Sequence, residues 1–312
     1  MRDRTTLLLL LLLSTAMLWQ PVNADRIPEQ DWQTMQAAQD LLRSQDWLHT
    51  ADIAPLLTTR DALSRLVAHY GPVAIVATWL SGRAIPESAR DLNLQDDAAV
   101  AAYNNKWIRL SRAEMDNTAC VVRAPLSELL AQAQGIVGLR TDDPVALRYA
   151  VQWVEDFITE KRRAKPGNRI ATYGIPMYYY SQCRERLIEL ESVGGTPAVS
   201  PVAFLGSTYV PLRLAQADGQ LFMPISSLGI PQSRVKWDAE TKTATLDLAR
   251  HITLASSRSV AEVDGSPVKL SAPPIIEDGR LMISVRDVKP LFGLDYKWDP
   301  KLWAVRIFAP ES

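Results

Sequence analysis

Two cysteines and three histidines in 312 residues leave little material for thiol or metal chemistry. The histidines, His49, His69 and His251, stand in separate segments, and no H-E-x-x-H, G-x-S-x-G or C-x-x-C occurs. The sequence therefore offers no local zinc, serine-hydrolase or redox motif. Charge of one sign is also lacking: the formal net charge is −1, which excludes the basic footprint of a nucleic-acid binder. Beyond an apolar run at the N-terminus, no stretch approaches the ~20 residues that cross a bilayer as a helix. Carboxylates are plentiful but uninformative. Asp96-Asp97 and Glu155-Asp156 fall on expected helices or their starts, where solvated faces and capping account for them.

What is present begins with an export pattern. Arg2 and Arg4 precede an unbroken apolar run from Leu7 to Leu13, and Val22-Asn23-Ala24 places small residues where a signal peptidase cleaves. Residues 1–24 are expected to be a signal peptide, with a mature start at Asp25 and no transmembrane segment once it is removed. In an oxidising compartment the pair Cys120 and Cys183 suggests a disulfide, two free buried thiols being the alternative.

Residues 25–195 read as a helical domain. Trp32, Met35, Leu41 and Leu42 recur at helical spacing, as do Leu63, Leu66, Val67 and Tyr70 behind the expected caps Thr58 and Thr59. The clearest helix starts at Asp142-Asp143-Pro144, with Leu147, Val151, Val154 and Ile158 on one face and Lys161 to Lys165 closing it. Another is expected from Ser181 to Glu191. Tyr173, Tyr178, Tyr179 and Tyr180 form an aromatic cluster that is either a binding surface or core packing.

Gly194-Gly195-Thr196-Pro197 breaks the pattern, and the apolar period then changes from helical to alternating, as in Thr243 to Leu248 and Trp303 to Phe308. Residues 196–312 also repeat themselves. Val202 to Gly206, Asp218 to Ile225 and Val235 to Asp238 return as Val260 to Gly265, Asp278 to Val285 and Tyr296 to Asp299. A period of about 60 residues marks a repeated supersecondary unit, and two copies imply a compact pair sharing one core. The Asp-Gly pairs predict positive-φ turns between strands. A short helix is expected from Val285 to Phe292, stopped by Gly293. Alternation places Trp237 and Trp298 in the shared interior. The fold class is α+β: a helical N-terminal domain followed by a two-repeat β-rich α+β module.

The second copy, with Asp264-Gly265, Pro273-Pro274, Asp278-Gly279-Arg280, Val285-Arg286 and Lys297-Trp298-Asp299, resembles the copper amine oxidase N-terminal-like domain. The resemblance spans about residues 202–308. It departs where Ser284 replaces a proline and where Gln220 and Ser226 of the first copy replace arginines. Despite the name it implies no cofactor, no copper and no oxidase chemistry, but a stalk or binding module in the cell envelope. A second resemblance, to the S-layer homology motif, lies in Asp31-Trp32, Ala37-Ala38, Leu41-Leu42 and Pro55 to Leu63. It lacks that motif's glycine loop, and Thr59 with Asp61 can equally be a helix start. The reading is thus an exported, non-enzymatic envelope protein whose partner is another envelope protein or a cell-wall polymer. The alternative is an envelope hydrolase acting on wall glycan or peptide from a site in the helical domain, since a two-carboxylate glycosidase needs no local motif.

Overall fold

A computed structural model of the chain describes residues 28–44, 46–71, 75–79, 98–102, 121–164, 176–192, 197, 199–206 and 210–310. The expected signal peptide, Cys120 and Tyr173 lie outside the described residues, as does the side chain of Tyr178. Two compact units are present: Met1–Gln45 with Thr58–Ser127, and Asp46–Leu57 with Glu128–Ser312.

In the first unit, helix α1 (Glu29–Ser44) buries Met35, Ala38 and Leu42. Helix α2 (Ala54–Tyr70) buries Leu63 and Leu66, and the Tyr70 hydroxyl donates to the Asp31 carboxylate. The start of α2 differs from the expectation. Asp52 accepts from the Ala54 amide at 2.9 Å, so the helix begins before Thr58 and Thr59, which lie inside it. An Asx cap satisfies an orphan amide as well as a threonine does. Strands β1 (Ile75–Trp79) and β2 (Val121–Pro125) pair antiparallel.

The second unit is built around α3 (Leu126–Thr141). Most of it is buried, with Leu129, Leu130, Ala133, Ile136 and Val137 joined by Ser127 and Gln132, which marks a central helix. Two glycines let its neighbours close in. A Cβ at Gly138 would stand 2.7 Å from Leu147 Cγ, and one at Gly135 would stand 3.2 Å from Cys183 Sγ. Helix α4 (Pro144–Ala164) starts where Asp143 accepts from the amides of Val145 and Ala146. Its face Leu147, Val151, Val154 and Ile158 is buried, as the spacing predicts. Helix α5 (Pro176–Glu191) begins earlier than expected, with proline in its first turn.

Strand β3 (Val202–Leu205) follows, then β4 (Leu212–Arg213), β5 (Ala215–Ala217), β6 (Gln220–Pro224), β7 (Val235–Asp238), β8 (Thr243–Asp247), β9 (His251–Ala255), β10 (Val260–Val263), β11 (Ser266–Lys269), β12 (Ile275–Glu277) and β13 (Arg280–Ser284). The expected short helix is a 3-10 turn, Val285–Asp287, continuing into α6 (Val288–Phe292) and capped by Gly293 at φ 69. Strands β14 (Asp295–Asp299) and β15 (Ala304–Phe308) close the chain. They form sheets of order β11-β10-β9-β8-β7, β12-β13-β6-β5 and β14-β15-β3-β4. All three Asp-Gly pairs are two-residue hairpin turns with both φ positive: Asp218-Gly219, Asp264-Gly265 and Asp278-Gly279.

The two copies interlock about a pseudo-dyad. β6 and β13 are equivalent strands and pair antiparallel with Met223 opposite its own counterpart Ile283. β12 and β5, also equivalent, flank them. The last strand of the second copy, β15, pairs in parallel with the first strand of the first copy, β3. One apolar core takes Ala203, Met223, Leu246 and Leu254 from one side and Ala261, Ile283, Leu291 and Ile307 from the other. The sheet containing β3 is covered on both faces: Ala203 and Val305 point into that core, while Val202, Phe204 and Ala304 pack with Val151, Val154 and Leu187 of the helices. This explains why β3 is an unbroken apolar run.

Trp237 and Trp298 correct the expected core assignment, being 48% and 37% exposed. Both sit on edge strands, β7 and β14. Trp237 shares the inward face with its cross-strand partner Ala244, but no further strand among the described residues covers its outer side. Trp237→Ala should therefore cost about 1 kcal/mol or less, not the ~3–5 kcal/mol of a buried aromatic. Trp298→Ala should cost more, because that ring stands edge-to-face with Trp303 at 4.9 Å. Thermal melts of the two variants measure the difference.

Candidate functional site

The most concentrated buried chemistry lies between α4, α5 and the β3 sheet. Helical spacing puts Tyr180, Cys183, Arg184 and Leu187 on one face of α5, and all are buried. Glu155 of α4 meets them. Arg184 Nη1 donates to Glu155 Oε1 at 2.5 Å, and the Tyr180 hydroxyl donates to the same oxygen at 2.8 Å. The other guanidinium donors go to main chain: Nε to the Leu302 carbonyl at 2.7 Å, Nη2 to Ser200 at 2.5 Å and to Trp303 at 3.3 Å. Arg213 of β4 stands 3.7 Å from Glu155 Oε2 and 2.7 Å from Asp156. Burial raises the Glu155 carboxyl above its ordinary value, opposed by the Arg184 cation and the Tyr180 hydrogen bond. Burial, with Glu155 adjacent, likewise holds the Tyr180 hydroxyl well above its ordinary value.

Sequence reasoning placed Glu155 on a solvated helix face, and the structure corrects this. Its partners stand 25 and 29 residues away along the chain, so no local spacing signals them. The available signal was Glu155 itself, which follows Val151 and Val154 on the apolar side of α4. Chemically the cluster is a lock. Both Glu155 oxygens and the Arg184 Nε, Nη1 and Nη2 are engaged by the protein, fastening α5 to the loops that enter β3 and β15.

Of the expected aromatic cluster, the side chains of Tyr179 and Tyr180 lie among the described residues. Tyr180 is 1% exposed and stands edge-to-face against Phe204, so it belongs to the core, whereas Tyr179 is half-buried. The expected bridge finds no support, and Cys120 lies outside the described residues. Cys183 is a free buried thiol whose Sγ lies 3.6 Å from the Gly135 carbonyl. It faces α3, where the glycine makes room for it. Burial pushes this thiol up to about 12 from 9.0. The shift favours folding below the unfolded value of 9.0, and that contribution fades as pH rises towards about 12. Since the thiolate is the nucleophile, iodoacetamide at pH 8 should leave Cys183 unlabelled in the native protein and label it in urea, as peptide mapping would read. Recovery of a Cys120–Cys183 peptide would reinstate the bridge.

Among the described residues no three metal-ligating side chains gather. A shallow groove of about 340 Å³ on the outer face of the five-stranded sheet is lined by Thr243, Thr253, Arg258 and Glu262, among others. The departures noted in the repeat meet each other: the Ser284 hydroxyl donates to Gln220 Oε1 at 3.2 Å and accepts from the Arg286 amide. Nearby, Asp287 Oδ1 accepts from the Ser271 amide, and Oδ2 is the one buried side-chain oxygen without a hydrogen-bond partner among the described residues.

Comparison with curated proteins finds no match. Comparison with family models gives no support to the S-layer resemblance at residues 31–70. It does match the C-terminal module, starting within the last turn of α5. That family is the non-catalytic N-terminal domain of copper amine oxidases. Residues 189–307 of this chain thus match the family model of the copper amine oxidase N-terminal domain.

Proposed function

We propose that this chain is an exported, non-enzymatic protein of the cell envelope, in which the C-terminal domain has a structural or binding role towards another envelope protein or a cell-wall polymer. The observation that carries the reading is the match of residues 189–307 to a domain that does no chemistry in the enzymes that name it. The N-terminal pattern of Arg2, Arg4, Leu7 to Leu13 and Val22-Asn23-Ala24 supports export. The buried Glu155–Arg184 pair adds support, because its hydrogen-bonding capacity is spent on scaffold contacts. Among the described residues no helix is long and apolar enough to cross a membrane.

The test is fractionation of the cells that make the protein, with intact mass of the recovered chain. A mature N-terminus at Asp25 in the envelope or medium is expected. An uncleaved chain in the cytoplasm would overturn the proposal.

A further inference from the structure

We propose that β14 is a docking edge for a second copy of this chain, through antiparallel pairing centred on Tyr296. Among the described residues, strand β14 hydrogen-bonds to β15 alone, and its other side is a sheet edge. Its five residues pair with β15 in unbroken register. Of the other edges of the module, four are blunted and β7 is not: β4 has two residues, β5 and β12 have three, and β11 carries Pro267. Short strands and prolines are how proteins protect edges from strand addition. On β14, Tyr296 and Trp298 stay 41% and 37% exposed.

Lys297, exposed on the opposite face, makes no ion pair among the described residues. A lysine on an edge ordinarily discourages pairing, and would do so here if it opposed its own copy. Pairing centred on Tyr296 instead puts Lys297 opposite Asp295 of the second copy, twice by symmetry. Residues alternate faces along a strand, so the other face then brings Tyr296 against Tyr296 and Trp298 against Leu294. Opposite charges and aromatic pairs directly across a sheet both stabilise it. Lys289 contacts Oδ1 of Asp295 at 2.6 Å. A register centred on Trp298 would instead draw on Asp299, whose oxygens already hold the Leu302 amide and Arg306. The equivalent edge β7 lacks this self-complementarity, because Arg234 stands where Asp295 does and would oppose Lys236. The two-fold pairing is isologous and closed.

Sedimentation of the purified protein over a concentration series tests this. The wild type should pass from monomer to dimer. Lys297→Glu and Asp295→Lys, each with an unchanged circular-dichroism melt, should each weaken the dimer at least tenfold, because like charges then face each other across the dyad. Mixing the two variants restores opposite charges at both positions and should restore a heterodimer. Tyr296→Cys should cross-link to itself on oxidation, whereas Lys301→Cys should not. A wild type that stays monomeric at every concentration would overturn the proposal. So would a dimer untouched by Lys297→Glu, or folded monomeric variants whose mixture stays monomeric.

Discussion

Cutting the chain in the Ser256-Ser257 turn should leave a C-terminal piece that does not fold alone and that recovers a cooperative transition when mixed with the other piece. Ser257 lies at φ 64 between β9 and β10, so the cut itself removes only a turn. The consequence lies in the core. The piece beginning at Ser257 holds Ile283, Val285, Leu291, Val305 and Ile307, which are buried by residues of the other piece as well as by one another. Each aliphatic side chain of this size is worth about 1.5–3 kcal/mol when fully buried. Losing much of that burial costs on the order of 10 kcal/mol, comparable with the net stability of about 5–15 kcal/mol for a whole domain. The β6–β13 and β3–β15 ladders are lost as well. Circular-dichroism melts of each piece and of the mixture decide the matter. A cooperative melt from the piece beginning at Ser257 alone would show that one copy carries a sufficient core.

Replacing Arg184 by methionine should destabilise the protein by about 3–5 kcal/mol, the usual cost of removing one member of a buried ion pair. The side chain is 0% exposed, so no water can replace it at Glu155 or at the carbonyls of Ser200, Leu302 and Trp303. Arg184→Lys keeps a charge but cannot reach several acceptors with a planar fork, and should recover only part of the loss. Adding Glu155→Gln to Arg184→Met should cost less than the two changes summed, by about 0.5–3 kcal/mol, because the orphaned carboxylate is gone. The pH dependence has a definite sign. Without the cation that opposes it, burial raises the Glu155 carboxyl further. A raised carboxyl stabilises the fold when protonated and loses that contribution as pH rises through the folded value. The deficit of Arg184→Met should therefore be largest at neutral pH and shrink in acid. Urea denaturation at several pH values measures it, and strictly additive losses would remove the pair from the list of structural contacts.

Several features of this protein were legible along the chain because they depend on neighbours a few residues apart. The α4 stripe of Leu147, Val151, Val154 and Ile158 follows from helical periodicity, and Asp143 and Gly293 follow from capping. The three hairpins follow from Asp-Gly, since only such pairs accept positive φ at both turn positions at low cost. The internal repeat gave the shared core, because two copies of one amphipathic pattern have nowhere else to bury it.

What tertiary structure alone decided were questions of which surfaces are covered. Trp237 alternates towards the interior as the pattern requires, yet it is half-exposed because, among the described residues, β7 has no strand beyond it. Glu155 looks like one of many helix carboxylates, and it is buried because Arg184, Tyr180 and the β3 sheet close over it. The turn to alternating apolar residues after residue 195 marks a change in secondary structure, while the compact unit runs across it from Glu128. Packing Val202 and Phe204 against α4 and α5 joins the two halves of that unit. Local rules set backbone conformation through short-range sterics and hydrogen bonds. Burial of a charge or a ring depends on partners brought together from distant parts of the chain, and no spacing in the sequence encodes them.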